Sequence, residues 1–174
     1  TVSDNMASGR KCKGGGGIYN DSGTLNLANS IISKNLSRNT EDWAWAHGGG
    51  ISTLFGTVTL TNSRVSENES HGDWSSGGGI YHEYGTIALR NSTVSDNNSS
   101  GYYTYGGGIH GSGTLTLTST TVSGNNSSAS QYLAGSTANG GGISHDNGVV
   151  SITNSRVSGN LVSGDESFGG GIYK

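Results

Sequence analysis

Gly-Gly-Gly-Ile occurs six times in this chain, and no other feature limits the available folds as tightly. The isoleucines fall at 18, 51, 80, 109, 143 and 172, in steps of 33, 29, 29, 34 and 29 residues. A unit of 29 residues that takes extra length at only two steps is the mark of a repeat architecture, in which each unit needs its neighbours to bury its apolar face. The first reading is therefore a stack of similar turns.

Every unit has three parts. Gly-Gly-Gly-Ile is followed by a polar or aromatic residue: Tyr19, Ser52, Tyr81, His110, Ser144 or Tyr173. An alternating segment comes next, as in Thr114-Leu115-Thr116-Leu117-Thr118, with Leu25/Leu27, Val58/Leu60, Ile87/Leu89 and Val150/Ile152 as its counterparts. Alternation of this kind marks a strand with one buried face. The third part, Val-Ser-x-Asn or a close variant, starts at Val2, Ile32, Val65, Val94, Val122 and Val157. It begins 14 residues after the repeat isoleucine in four units and 13 in one, so this half of the unit is rigid.

The fold class that follows is all-β: a right-handed parallel β-helix of about six coils, each of about 29 residues and three short strands. Residues 1–174 form one repeat domain, expected to be a window of a longer array or a filament subunit. Like residues should stack in columns. One asparagine column runs through Asn35, Asn68, Asn97, Asn125 and Asn160, and a second through Asn29, Asn62, Asn91 and Asn154 with Ser119 interposed. Aligned asparagines can form amide ladders and satisfy turn backbone. The glycines should mark a corner with positive φ or a close backbone approach. No segment shows helical periodicity.

Composition serves this reading. Only 30% of residues are hydrophobic and 32 are glycine, a profile of disordered tracts, but here the few apolar residues recur at fixed places. Proline is absent, which suits many paired strands. A net charge of −3 offers no electrostatic case for nucleic acid or an anionic membrane. The single cysteine, Cys12, excludes an internal disulfide framework and a cysteine zinc cluster.

All length variation falls between the Asn of one unit and the next Gly-Gly-Gly, in segments 36–47, 69–76, 98–105, 126–139 and 161–168. Insertions at one position of a solenoid line one edge, often the binding edge. This one collects Trp43, Trp45, Trp74, Tyr102, Tyr103, Tyr105 and Tyr132, the candidate binding residues. Aromatic side chains there can dock a sugar or a partner, or fold back onto the flank.

Chemistry is harder to find. Glycoside cleavage needs two carboxylates about 5–10 Å apart. The candidates are Glu41, Asp42, Asp73 and Glu83, with His47, His71 and His82 nearby in sequence, and solvated loop charges are the simpler reading. His71/Asp73 and His145/Asp146 lack the partner set of a metal site. No cofactor is expected. An outward threonine array (Thr24, Thr57, Thr59, Thr86, Thr114, Thr116) is similar to flat ice-binding faces. Threonine favours strands in any case, and Asn26, Ala88, Val149 and Ser151 break the array.

The pairing of Gly-Gly-x-Ile with a strand ending in x-x-Asn resembles the repeats of chlamydial polymorphic outer-membrane proteins, which carry Gly-Gly-Ala-(Ile/Leu/Val) and Phe-x-x-Asn. Gly17, Gly50, Gly79, Gly108, Gly142 and Gly171 stand where that family has Ala, and Val2, Ile32, Val65, Val94, Val122 and Val157 where it has Phe. The chain also looks like the wider class of bacterial β-helix surface proteins. The resemblance implies an exported, autotransporter-like or wall-attached protein at the cell surface. Its expected function is non-catalytic: adhesin, stalk, or self-assembling fibre or layer. Partners would be a further copy, joined end to end or along the aromatic edge, or a glycan or cell-surface ligand. A carbohydrate-binding or polysaccharide-cleaving β-helix is the alternative.

Overall fold

The computed structural model describes residues 1–9, 14–41, 43–130 and 134–174; Cys12, Asp42 and Tyr132 lie outside them. It is a parallel β-solenoid of about six turns with no helix among the described residues.

Each turn passes through four sheets. The valine sheet pairs Val2–Ser3, Ile31–Ser33, Arg64–Ser66, Thr93–Ser95, Thr121–Ser123 and Arg156–Ser158. The serine sheet pairs Met6–Ser8, Leu36–Arg38, Glu69–His71, Asn98–Gly101, Asn126–Ala129 and Leu161–Ser163. A tryptophan sheet follows, of Trp45–His47, Trp74–Ser76, Tyr103–Tyr105, Thr137–Asn139 and Glu166–Phe168. The isoleucine sheet contains Ile18–Asn20, Thr24–Ala28, Ile51–Thr53, Thr57–Thr61, Ile80–Arg90, Ile109–Thr118, Ile143–Thr153 and Ile172–Tyr173. The three segments expected as strands all form them, but the first two run together as one strand in Ile80–Arg90, Ile109–Thr118 and Ile143–Thr153. The other difference is in the segment of variable length, which adds the serine and tryptophan strands instead of forming a plain loop.

Register is strict. Ile18, Ile51, Ile80, Ile109, Ile143 and Ile172 pair in succession, as do Val2, Ile32, Val65, Val94, Val122 and Val157. Between the valine and isoleucine sheets these columns, with Val58/Leu60, Ile87/Leu89 and Leu115/Leu117, form one aliphatic core. The serine and tryptophan sheets enclose a narrower interior of small residues. Ala46, Ala129 and Ala138 are buried there, Ser70 and Ser75 hydroxyls meet at 2.7 Å, and Ser127 donates to Thr104 at 2.9 Å.

The three glycines have three separate tasks. The first, as Gly77 at φ 62°, takes the left-handed conformation that turns the corner. A Cβ on the second, Gly78, would lie 2.3 Å from the Asn98 carbonyl oxygen, and one on the third, Gly79, 2.9 Å from the Asn97 amide carbon. The middle glycine thus lets two backbones close the waist between the two interiors. The third makes room for the asparagine ladder.

That ladder runs Asn5–Asn35–Asn68–Asn97–Asn125–Asn160, each Nδ2 donating to the next Oδ1 at 2.9 Å. From Asn35 onward each Nδ2 also donates to the carbonyl of Val2, Ile32, Val65, Val94 or Val122 on the preceding turn. Each Oδ1 accepts the backbone N–H of the preceding asparagine as well. The inner amides therefore use both donors and both acceptor sites inside the protein, which a buried amide requires. The second asparagine column does a different job. Asn29, Asn62, Asn91, Ser119 and Asn154 all sit at φ 48–50°, a conformation that asparagine tolerates better than most residues.

Candidate functional site

The residues on either side of the glycine corner point outward into a concave angle of the cross-section. On the tryptophan sheet, Trp45, Trp74 and Tyr103 stand in register, with Trp45 and Trp74 rings stacked at 4.8 Å and Trp74 and Tyr103 at 4.2 Å. These rings spend their faces on one another, at the spacing of the turns, and turn their edges outward. Trp43, Tyr102 and Tyr103 extend the cluster through edge contacts of 6.3 and 4.5 Å. Tyr105 belongs to a neighbouring column with His47 and Ser76. Six of the seven aromatic candidates thus fall on one flank.

Across the corner, the column that follows the repeat isoleucine supplies the facing wall: Ser52, Tyr81, His110 and Ser144, all largely buried although they point outward. A chain of rings bridges the angle. His47 stacks on Tyr81 at 4.1 Å, Tyr81 approaches His110 at 5.7 Å, and His110 approaches Tyr105 at 5.3 Å. The result is a groove of about 230 Å³ lined by Trp45, His47, Trp74, Ser76, Tyr81, Tyr105, His110 and Asp146. Sequence reading reached the tryptophan wall through its composition, but it did not join that wall to Tyr81, His110 and Asp146. The signal was the aromatic or polar residue after each Gly-Gly-Gly-Ile.

His110 is the polar centre. Its Nδ1 donates to the Ser144 carbonyl at 3.2 Å, since a carbonyl can only accept. Burial, opposed by that hydrogen bond and reinforced by His145, lowers its pKa to about 4, so the ring is neutral at pH 7 and Nε2 carries a lone pair. Asp146 Oδ2 lies 3.9 Å from that nitrogen. Burial pushes the Asp146 carboxyl up, against the pull of His145 and Lys174. Tyr81 Oη donates to Glu83 Oε2 at 3.2 Å; burial, then Glu83, raises its pKa.

The other acidic candidates separate. Glu41, His71 and Asp73 border a second hollow of about 270 Å³ with Arg38, Asn39 and Gly101. There Asp73 accepts the Trp43 backbone N–H, and His71 pairs with the Ser100 hydroxyl at 2.9 Å. Glu83 instead accepts from the Tyr81 hydroxyl, behind the groove lining. His82 and His145 enter the interior: both are fully buried, their rings 5.4 Å apart, and Gly111 holds the position between them. A Cβ on Gly111 would lie 2.3 Å from the His82 ring. The unit containing Gly111 is the one shortened by a residue, and the sheet bulges there. None of the four ring nitrogens of this pair has a hydrogen-bond partner among the described residues. No group of three or more metal-ligating side chains occurs among the described residues.

Compared with protein-family models, curated proteins and solved structures, the chain matches none significantly.

Proposed function

We propose that this chain is a non-catalytic, extracellular structural and adhesive β-solenoid: a stiff rod at a cell surface that presents its aromatic flank to a partner. The observation that carries this reading is the continuous asparagine ladder, which with the strict register ties every turn to the next by side-chain as well as backbone bonds. Such a stack resists bending and local opening, as a stalk or fibre must. Six turns at strand spacing give about 30 Å of rod. The resemblance to chlamydial outer-membrane and other bacterial surface repeats supports the location, and the pattern of tryptophan and tyrosine supports the partner-facing edge.

Apolar columns reach the first and last described turns, where Ile152 and Ile172 are exposed and Val2, Ile18 and Leu25 are half-buried. A second copy stacked end to end would cover them. Electron microscopy of the purified protein tests the reading. Rods or end-joined filaments are expected, and compact particles that release sugars from a polysaccharide panel would overturn it in favour of an enzyme.

A further inference from the structure

The end of the corner groove at His110 and Asp146 is rich in acceptors. His110 Nε2 has its lone pair free because the ring proton is on Nδ1, held by Ser144. Asp146 Oδ2 is a second acceptor 3.9 Å away. Tyr81, which also lines the groove, commits its proton to Glu83, so its oxygen is left with lone pairs to offer as a further acceptor. Lys174 influences Asp146, but its Nζ donates to the Gly148 carbonyl at 3.0 Å. The Trp45 and Trp74 indole N–H groups and the Ser76 and Tyr105 hydroxyls supply donors elsewhere on the lining, but an occupant beside His110 and Asp146 meets acceptors, and beside that carboxylate it gains by bringing positive charge.

Shape narrows the choice. The lining residues run from Trp45 in the second turn to Asp146 in the fifth, about 14 Å along the axis. The groove is a trough rather than a socket, suited to a chain laid lengthwise, with the edges of the aromatic rings along one side as apolar surface.

We propose that the groove of Trp45, Trp74, Tyr105, Tyr81, His110 and Asp146 binds a linear glycan bearing free amino groups, with one sugar ammonium held by Asp146, His110 Nε2 and Tyr81 Oη. A primary ammonium has three donors for these three acceptors. An N-acetylated sugar offers one donor and no charge, and a polyuronate brings the wrong sign. The proposal rests on the adhesive reading and gives that adhesion its ligand class.

Calorimetric titration of the intact chain with glucosamine tetramer, N-acetylglucosamine tetramer and tetralysine tests it. The glucosamine tetramer should bind, with the other two weaker by about tenfold or more. Asp146→Asn should lose about tenfold, since it removes a charge-assisted contact, and Tyr81→Phe a few-fold. Asp146 is half-exposed and its replacement leaves the core intact. Failure of the glucosamine tetramer to bind, equal binding of the acetylated tetramer or of tetralysine, or full affinity in Asp146→Asn would each overturn the proposal. Rods imaged from the same samples separate its failure from failure of the structural reading.

Discussion

Replacing Asn97 by alanine removes one rung from the middle of the ladder. Four hydrogen bonds disappear: Nδ2 to Asn125 Oδ1 at 2.9 Å, Nδ2 to the Val65 carbonyl at 3.1 Å, and two from Asn68, its Nδ2 at 2.9 Å and its backbone N–H at 3.0 Å. At a net contribution of about 1 kcal/mol each, the loss is about 4 kcal/mol. Two buried Asn68 donors are left without an acceptor, which raises the cost to about 4–6 kcal/mol after partial relaxation. Urea unfolding should show this as a large fall in midpoint. The Asn68 amide should exchange faster by a far larger factor than amides two turns away. Asn68→Ala combined with Asn97→Ala should cost about 1–2 kcal/mol less than the sum, because the two side chains share a bond and the orphaned Asn68 donor is gone. A single-variant cost below about 1 kcal/mol, with unchanged Asn68 exchange, would refute the claim that the ladder holds the turns together.

Three other perturbations follow from the same geometry. Gly79→Ala places a methyl 2.7 Å from the Gly108 carbonyl oxygen and 2.9 Å from the Asn97 amide, and should cost about 2–4 kcal/mol by thermal or urea unfolding, whereas a surface Thr116→Ala should cost under 1. Ser119→Asn should stabilise by about 0.5 kcal/mol, because Ser119 holds φ 50° at the position where four other turns use asparagine; a loss of stability would contradict that account. Acid should loosen the fold through its buried histidines. Burial, with His145 and His110, lowers the His82 pKa to about 3, so the unfolded chain takes up a proton near pH 6.5 that the folded chain refuses. Stability is full above that pH and falls as pH drops toward 3. By pH 4.5 the loss from His82 is about 2–3 kcal/mol, with a similar amount from His110. His82→Leu should flatten the difference in urea midpoint between pH 7 and 4.5, and an unaltered difference would contradict the assignment.

The aliphatic columns were legible in the sequence because each strand buries the same residue type at the same phase of a 29-residue unit, so Ile80, Leu89 and Val94 announce themselves by position. The asparagine ladder could be read for the same reason. The serine and tryptophan strands were not, because their interior is filled by Ser70, Ser75, Ala46 and Ala138, and small residues leave no apolar alternation to detect. The aromatic flank was visible as composition but the groove was not. Tyr81, His110 and Asp146 come from different turns and meet Trp74 and Tyr105 only because the glycine corner folds one sheet against the next. Nothing in the sequence marked His82 and His145 as core residues, and their burial depends on a neighbouring turn having lost one residue and a side chain at Gly111.

A pair of nitroxide labels tests the stacking of turns most directly. Thr59 and Ala88 face outward and lie opposite each other on adjacent turns, while Thr116 follows one turn later. With Cys12 replaced by serine, labels on cysteines at 59 and 88 should sit about 5 Å apart at the backbone and give spin-exchange narrowing. Labels at 59 and 116, about 10 Å apart, should show dipolar broadening instead. Two uncoupled spectra, or a closer 59/116 pair than 59/88, would contradict the parallel in-register solenoid.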